Sequence, residues 1–460
     1  MRKLENRPHT TETTQGQDTA PPPGEIRRVA ERLFRHEAGR LVATLTRIFG
    51  TDRLSLAEDV VQEALVKALQ TWPYYGVPTN PSAWITQVSK RLALDVVRRE
   101  RVFRSKELEL SGFLEQMRPE ADEILHHDGE IADDRLRMMF VCCHPLVPPD
   151  AQVALALRTL CGFSAAEIGR AFLTSEVATA KRLTRARQQI REARIPFEIP
   201  AGPELSARLD GVLQTLYLLF NEGYKATSGE NLIREELCHE AIRLGTLLAG
   251  HPAGARPRTH ALLALMLLNA ARLPARVDAE GNVLRLKEQD RFRWNTAMMA
   301  RGMFYLARSA DGDEVSAYHV QAGIAACHCA ANDYESTDWP HILSLYDRLV
   351  AIDDSPIVAL NRAVAVANVH GPTAGLAAVD AIRHHGKLDA YYLLYAVLGE
   401  FEAQLNHPQA AAEHFRASLR RTGITSEQRF LSKRIRECEE QCRSRVGLSG
   451  NLAGSACELP

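Results

Sequence analysis

Apolar residues recur at helical spacing through most of the chain, and the C-terminal half carries no strand signature. The spacing predicts a first helix over residues 25–49, with one apolar face formed by Ile26, Val29, Leu33, Leu41, Leu45 and Ile48. From about Pro203 a long series of amphipathic helices follows. The pattern therefore predicts an all-α protein.

A second helix is predicted over the run LAEDVVQEALVKALQTW, opened by a capping box of Ser55 and Glu58. Its inward face is predicted to hold Val60, Val61, Ala64, Leu65, Ala68 and Leu69. Its outer face carries, at positions i, i+3, i+4 and i+7, the residues Asp59, Gln62, Glu63 and Val66. A charged outer face is ordinary for a surface helix, but this acidic, amide-rich one suits a basic protein partner better than DNA.

An aromatic loop, WPYYGVPTNPSAW, precedes a third helix, for which Asn80 and Pro81 are the N-cap and first-turn residues. This helix is predicted from Ser82 to about Arg104, with a core stripe of Ile85, Val88, Leu92 and Val96. Its positive charges are Lys90, Arg91, Arg98, Arg99, Arg101 and Arg104. Flat rings beside cations suit the unstacked bases and phosphates of single-stranded DNA. The alternative is that Trp72 and Trp84 are core residues.

Residues 162–194 predict two short helices with a tight joint. A capping box of Ser164 and Glu167 opens the first helix, whose apolar face is Ile168, Ala171 and Phe172. Ser175 caps the second, with a buried stripe of Val177, Leu183 and Ala186 and with Lys181, Arg182, Arg185 and Arg187 mostly off it. This is the shape of a helix-turn-helix, whose second helix would enter the DNA major groove. The alternative is a helical hairpin with a solvated basic face.

The composition of the chain limits the number of domains and the kinds of partner that it can have. The 460 residues suffice for two or three domains, and the net charge of −1 announces no global attraction to nucleic acid. Charge is uneven, however: residues 26–104 and 151–194 are rich in Arg, and residues 105–134 are strongly acidic. Nine cysteines without disulfide or zinc-ribbon spacing favour a reducing cytoplasm. No signal peptide or membrane span is expected. Disordered tails are expected at residues 1–24 and 443–460.

No chemical site is expected. The neighbouring residues Cys142, Cys143 and His144 do not point to one centre on a helix, nor do Cys327, His328 and Cys329. Cys438 and Cys442 are two ligands at most. Phosphate-loop, dinucleotide and nucleophile-elbow motifs are missing from the sequence, so no metal, cofactor or catalytic residue is predicted.

The C-terminal half shows a repeat. Pro340, Pro372 and Pro408 each begin a predicted helix, at spacings of 32 and 36 residues, close to the tetratricopeptide period of about 34. A solenoid would present a concave face for protein binding; the alternative is a plain helical bundle. The polar motif at residues 221–224 is either a helix end with a left-handed Gly223 or a joint that docks this extension on the preceding domain.

Three blocks carry a family resemblance: AEDVVQEALVKALQTW, NPSAWITQVSKRLALDVVRR and the helix-turn-helix ending RLTRAR. In order and spacing they resemble regions 2 and 4 of RNA polymerase sigma factors of the extracytoplasmic-function (ECF) class, over residues 25–195. The block CCHPLVPPDAQVALALRTLCGFSAAEIGRAF and the extension beginning LYLLFNEGYKATSGE resemble a subgroup with a tetratricopeptide-like extension. The resemblance implies region 2 at residues 25–104, an acidic linker at 105–134, region 4 at 135–200 and the helical extension at 201–442.

The resemblance also implies roles. Binding of the coiled coil of the polymerase β′ subunit falls to Asp59, Gln62, Glu63 and Val66. Melting and capture of the −10 promoter element fall to Trp72, Tyr75, Asn80, Trp84, Lys90, Arg91, Asp95, Arg98 and Arg99. Recognition of the −35 element falls to Ser175, Glu176, Ala178, Thr179, Lys181, Arg182 and Arg185. The acidic linker would lie in the nucleic-acid channel of the polymerase, where it mimics nucleic acid.

Two positions depart from the family pattern. Most members carry Asn where this chain has Arg91, and Arg offers only donors to a base edge. Leu173 stands at a turn position often filled by Gly. The expected partners are core RNA polymerase, through β′ and β, promoter DNA, and a regulatory protein on the extension; no membrane and no catalysis are expected. The rival reading is a helix-turn-helix regulator or scaffold that binds duplex DNA without polymerase.

Overall fold

The computed structural model describes residues 37–108, 133–172, 174–200, 203–226, 232–252, 254–383 and 388–453. Over these ranges the fold consists of eighteen α-helices with four short 3-10 helices and a single β-bridge, between Val277 and Val283. The predicted all-α class is confirmed. The chain divides into two compact units: the described residues up to Phe49 and from Arg53 to 108 form the first, and Gly50–Asp52 with those from 133 onward form the second.

The first unit contains helix α1 (residues 37–49), α2 (Leu54–Tyr75) and α3 (Pro81–Leu108). Its buried side chains include Leu41, Leu45, Val61, Ala64, Leu65, Trp72, Ile85 and Ala93. The Asn80 side chain accepts the backbone N–H of Ala83 at 3.0 Å, which confirms the predicted N-cap of α3. The predicted helix residues before 37, the N-terminal tail and most of the acidic linker lie outside the described residues.

Two predictions about α2 are wrong. A 3-10 turn at Thr51–Arg53 runs directly into the helix, so α2 begins at Leu54 and Ser55 does not cap it. Leu69 is exposed rather than core, because the inward stripe of α2 continues through Ala68 to Trp72. Ile48 of α1 is also exposed. Helical spacing identifies a stripe, and residues at its edge are decided by what packs against them.

The second unit begins with four helices: α4 (Asp134–Cys142), α5 (Pro149–Cys161), α6 (Ala165–Ala171) and α7 (Glu176–Ala193). The extension continues with α8 (Pro203–Tyr224), α9 (Glu235–Gly250), α10 (Pro257–Ala270), η2 (Leu273–Ala275), η3 (Leu286–Glu288), η4 (Arg291–Arg293), α11 (Thr296–Ser309), α12 (Ala317–Ala330), α13 (Trp339–Ile352), α14 (Pro356–His370), α15 (Pro372–Asp380), α16 (Tyr392–Gln404), α17 (Pro408–Leu419) and α18 (Thr425–Ala453). Neighbouring helices from α12 onward pack in chain order.

The prolines of the predicted repeat do stand in first helical turns. Pro340, Pro372 and Pro408 lie at the starts of α13, α15 and α17. Their fixed φ suits that position, where an N–H would be unbonded in any case. The tetratricopeptide-like character of the array stays a prediction. Helix α18 continues to Ala453, so the prediction of disorder from residue 443 is wrong that far.

Candidate nucleic-acid and protein interfaces

The outer face of α2 gathers the predicted protein-binding residues. Asp59, Gln62, Glu63 and Val66 are all exposed, and the Val66 side chain retains 50% of its accessible surface. Glu63 pairs with Lys67 one turn later at 3.0 Å. An exposed pair of this kind contributes at most about 1 kcal/mol, so a partner could displace it. An apolar side chain within an acidic, amide-rich stripe fits a protein contact.

The end of α2 displays aromatic rings. Tyr74 and Tyr75 are almost fully exposed, the latter at 85%. Gly76 follows with φ 79°, a left-handed value that lets the chain leave the helix, and a Cβ there would have open space around it. The two tyrosine rings therefore lie on the surface, and the loop that follows them is partly exposed up to Pro78 and exposed at Asn80.

Trp72 lies elsewhere. It is 1% exposed, and its ring meets Trp84 edge to face, with centroids 5.6 Å apart. The prediction that Trp72 contacts DNA is wrong for this structure, because it continues the buried stripe of Leu65 and Ala68. Trp84 is partly exposed, which is compatible with both roles predicted for it, a core residue and a DNA contact.

The charges of α3 share a solvent-facing surface. All five predicted residues are exposed: Lys90, Arg91, Asp95, Arg98 and Arg99. Their helix faces the core through Ile85, Ser89 and Ala93, spaced at i, i+4 and i+8. Arg53 and Glu100 form an ion pair at 2.9 Å. The helix that follows the aromatic loop therefore exposes four cations, and rings with cations are the groups that single-strand binding uses.

The helix-turn-helix forms as predicted at both N-termini. Ser164 N–H donates to the Glu167 carboxylate at 2.7 Å, and Glu167 N–H donates to the Ser164 hydroxyl at 3.1 Å, which completes the capping box. Ser175 accepts from Ala178 N–H at 3.2 Å at the start of α7. Leu173 lies outside the described residues.

Gly169 sets the closeness of the two helices. A Cβ on it would lie 2.9 Å from the Thr174 carbonyl oxygen and 3.3 Å from the Thr179 hydroxyl. Thr174 N–H donates to the Gly169 carbonyl at 2.8 Å. The apolar pattern does not single out Gly169, although a glycine inside a short predicted helix is itself a sign of close packing.

Helix α7 presents a basic outer face. Its buried residues are Thr179, Leu183, Ala186 and Ile190. Exposed on it are Glu176, Ala178, Lys181 and Arg185, while Arg182 is partly exposed with its guanidinium 4.0 Å from the Asp150 carboxylate. Ser175, the cap, is exposed as well.

Three positions of this motif were assigned to the wrong face. Val177 is 65% exposed, whereas Thr179 is fully buried and donates its hydroxyl to the Ser175 carbonyl at 3.0 Å. The buried stripe begins at Thr179 because Gly169 leaves room for it there. Thr179 therefore cannot contact DNA in this structure. Ala171 of α6 is exposed rather than part of the apolar face.

Helix α4 is enclosed. Its residues Leu136, Met138, Met139, Phe140, Val141 and Cys142 are all fully buried. It packs on α5 and on α8 of the extension. A Cβ on Gly211 of α8 would lie 2.9 Å from Cys143 Sγ and 2.8 Å from Gln152 Oε1, so a larger residue there would force these side chains to move. A helix that is buried along most of its length, charged residues included, needs partners on several sides, and the extension supplies one of them.

Ion pairs tie the same helices together. Arg135 of α4 bonds the Glu240 carboxylate of α9, and Arg243 bonds both Glu240 at 2.8 Å and Asp133, the N-cap of α4, at 2.7 Å. Burial alone would raise the pKa of Glu240. The bonds and charges of Arg243 and Arg135 outweigh it and hold that pKa below its ordinary value.

A second joint reaches the helix-turn-helix. The Arg234 guanidinium lies 3.4 Å from Glu222 of α8 and 3.9 Å from Glu167 of the capping box. Burial would raise the pKa of Glu167, but the Ser164 bonds and the Arg234 charge lower it. The motif at residues 221–224 thus belongs to a docking joint. Gly223 is helical, so its left-handed reading is wrong.

The cysteine and histidine groups have no metal geometry. Among the described residues, no set of three His, Cys, Asp or Glu side chains is placed to hold a metal ion. Burial raises the pKa of Cys143 to about 12, which keeps its thiol protonated. In the same part of the chain, no helix combines the length and apolar character needed to cross a bilayer.

Comparison with known families locates these elements. The family model for sigma-70 region 2 matches residues 33–102, and that for sigma-70 region 4 matches residues 137–190. A family of unknown function, DUF6596, matches residues 208–310. The first two models cover α2 and α3, and α4 to α7, which bear the surfaces described above.

Two relatives extend the comparison. An uncharacterized protein of Rhizobium meliloti is 38% identical over 384 residues, which are 83% of this chain and 90% of that protein. The ECF RNA polymerase sigma factor SigE of Mycolicibacterium smegmatis is 27% identical over 162 residues, 35% of this chain and 60% of that protein. No solved structure gives a significant match. The chain therefore belongs to the sigma-70 family, with regions 2 and 4 followed by a DUF6596 segment in a helical extension.

Proposed function

We propose that the protein is an ECF-class sigma factor that binds core RNA polymerase, directs it to promoters and helps to open the duplex. The observation that carries the proposal is the presence of both sigma-70 regions in one chain, and most of the residues predicted to bind polymerase and DNA are exposed in each. The protein performs no catalysis of its own. Its partners are the β′ and β subunits and promoter DNA.

The α2 face of Asp59, Gln62, Glu63 and Val66 binds the β′ coiled coil. Its acidic and amide groups, with one exposed valine, match a basic helical partner. Tyr75, Asn80 and the exposed charges of α3 hold the melted −10 element. Bases captured on aromatic surface offset an unstacking cost of a few kcal/mol.

The exposed face of α7 reads the −35 element. Its N-terminal turn holds Ser175, Glu176 and Ala178, and the next turns hold Lys181, Arg182 and Arg185. Arginine donors suit phosphate and guanine edges. The contact of Arg182 with the exposed Asp150 carboxylate, at 4.0 Å, is weak enough for DNA to displace.

The extension regulates this activity, and its packing suggests how. Because α8 and α9 hold α4, and Arg234 contacts Glu167, a signal received by the extension acts on a body that already contains the −35 helix. A regulatory protein bound to the extension would shift promoter output by moving that body.

The test is run-off transcription with purified core enzyme and the full chain. The proposal expects promoter-specific transcripts that depend on the chain. Combined replacement of Lys181 and Arg185 by Ala should abolish the transcripts. The control Arg420→Ala, on the extension, should leave them unchanged. This pair of results would locate the DNA contact on α7. The absence of any chain-dependent transcript from its promoters would contradict the proposal. The rival reading, a regulator that needs no polymerase, uses the same α7 face but leaves the α2 face without a role.

A further inference from the structure

The arginines of the extension divide into two groups. Most of those that are substantially buried have a carboxylate partner: Arg208 with Glu204, Arg234 with Glu222, Arg258 with Asp210, and Arg285 and Arg434 with Glu400. Arg272, Arg276 and Arg291 are also only partly exposed, yet none has a carboxylate within 4.0 Å among the described residues. Charges withdrawn from water are normally paired, so this cluster requires another explanation.

Arg291 has a structural one. It donates to the carbonyl oxygens of His328 at 2.6 Å and Ala331 at 2.7 Å, and to the Thr337 hydroxyl at 2.9 Å. Its guanidinium also lies 5.0 Å from the centroid of the Trp294 ring. Neutral acceptors and a ring face thus satisfy Arg291, which ties η4 to the connection between α12 and α13.

Arg272 and Arg276 are not satisfied in this way. Arg272 makes one long bond, 3.5 Å to the side-chain carbonyl of Gln289, lies 5.2 Å from the Trp294 centroid, and has a buried Nε without a described partner. Arg276 bonds the Tyr224 backbone carbonyl and lies 3.8 Å from that ring's centroid. A guanidinium has five N–H donors, so both keep donors to spare.

A third cation lies close to Arg276. Lys225 Nζ is 3.3 Å from the Glu427 carboxylate and 4.9 Å from the centroid of the Tyr392 ring. Burial lowers the pKa of Lys225; Glu427 opposes that shift, and the charge of Arg276 adds to it. Glu427 also accepts bonds from the hydroxyls of Tyr392 and Thr422. One carboxylate that already has three donors around it does not neutralise the neighbouring arginines as well.

Tyr346 lies within electrostatic reach of Arg272, and Tyr217 and Tyr318 add two further rings to this part of the extension. Burial raises the pKa of Tyr346 to about 12, while the charge of nearby Arg272 opposes the rise. The rings of Tyr217 and Tyr318 lie 5.6 Å apart. The hydroxyls of Tyr318 and Tyr346 have no hydrogen-bond partner within the described parts of the chain. These groups provide stacking surface and further donors beside the unpaired charge.

We propose that Arg272, Arg276 and Lys225 form a binding site for a small organic anion. A phosphate or carboxylate group takes the spare guanidinium donors, whose fork matches two anionic oxygens, and a flat ring lies against the tyrosines. Tyr224 and Lys225 stand at the end of α8, and α8 packs on α4 and α5. An occupied site therefore touches the helix that supports region 4.

Isothermal titration calorimetry of the full chain tests the site with three probes at matched ionic strength: inorganic phosphate, adenosine 5′-monophosphate and benzoate. Saturable binding of at least one probe is expected at one site per chain. Arg272→Gln and Arg276→Gln should each weaken it by roughly tenfold. Arg301→Gln, which removes an exposed guanidinium on α11, is the matched control and should leave binding unchanged.

The probes separate the two kinds of anionic group. Tighter binding of the nucleotide than of phosphate indicates a phosphate group with a stacked ring, and binding of benzoate alone indicates a carboxylate. If the Gln variants do not fold, Arg272→Lys replaces them. This variant keeps the positive charge but loses the forked pair of guanidinium donors, so it should bind the probes less tightly than wild type. Probes that bind also raise the wild-type unfolding temperature. The site is refuted if no probe binds saturably or if every Arg272 and Arg276 variant binds like wild type.

Discussion

Regions 2 and 4 differ in what completes their cores. The buried residues of region 2, such as Val61, Trp72 and Ile85, lie on helices of the first unit itself. Region 4 instead encloses α4 between its own α5 and helix α8 of the extension, and pairs it with α9. Both regions match models of one family, yet the core of region 4 continues beyond the residues that its model matches. The limit of a sequence family is therefore not the limit of a folding unit.

The largest expected effect comes from cutting the chain after residue 200. Each large apolar side chain of α4 contributes about 1.5–3 kcal/mol through burial, and losing several exceeds the stability of a typical domain, about 5–15 kcal/mol. Hydrogen exchange should show α4 and α5 unprotected in the truncated chain. Helices α2 and α3 serve as the internal control and should stay protected. Retained protection of α4 would show that region 4 folds alone.

A matched pair of core substitutions sharpens the contrast. Phe140→Ala in α4 should cost about 3–5 kcal/mol, and Ile85→Ala in α3 about 2–5 kcal/mol, since both side chains are fully buried. Denaturant titration followed by hydrogen exchange measures each unit separately. Phe140→Ala should destabilise α8 and α9 together with α4, and Ile85→Ala should spare them. Loss confined to α4–α7 would contradict the shared core.

The sequence predicted what depends on near neighbours. The caps at Asn80, Ser164 and Ser175 formed because each needs only a side chain and an N–H two or three residues later. The predicted capping box at Ser55 does not form, because the 3-10 turn that precedes α2 leads directly into the helix and leaves no N-cap position at Ser55. Helical periodicity likewise placed the charged faces of α2, α3 and α7 correctly.

Contacts between distant residues were not predictable in the same way. The family resemblance placed Trp72 among the DNA-binding residues, with a core role as the alternative, and only the packing shows that it is core. The Arg234–Glu167 and Arg135–Glu240 pairs have no sequence signal, because any of many charges could have been their partner. Thr179 is buried in α7 instead of the predicted Val177 because Gly169 leaves space for its side chain.

A surface change in region 2 should act without touching any core. Replacing Asp59 and Glu63 together by Lys reverses the charge of the α2 face, and affinity for core polymerase should fall by about tenfold, roughly 1.4 kcal/mol. Titration of labelled core enzyme measures it. Glu413→Lys, an exposed change on α17, is the control. If wild type, the double variant and Glu413→Lys bound core polymerase with equal affinity, the α2 face would not be part of the interface. Unchanged thermal unfolding of the variants would confirm that they fold.

The smallest expected effect is a change in pH dependence of the second unit. The pKa of Glu240 lies below its ordinary 4.5 in the folded protein, so its contribution is present above that pH and is lost as pH falls through the lowered pKa. Glu240→Gln should therefore make the loss of stability in acid shallower. Urea midpoints between neutral and acidic pH measure the slope, with Glu413→Gln as control. A slope identical to wild type would mean that the Arg135–Glu240–Arg243 contacts do not form.

The most direct test is a mobility shift on promoter DNA, with and without core RNA polymerase. The purified full chain should leave intact duplex unshifted by itself and should form a specific complex when core enzyme is added. Charge reversal at Asp59 and Glu63 should raise the concentration of core enzyme needed to form this complex by about tenfold, and the chain alone should still leave the duplex unshifted. Tight binding of the chain to duplex DNA without polymerase, unaltered when core enzyme is present, would contradict the assignment as a sigma factor.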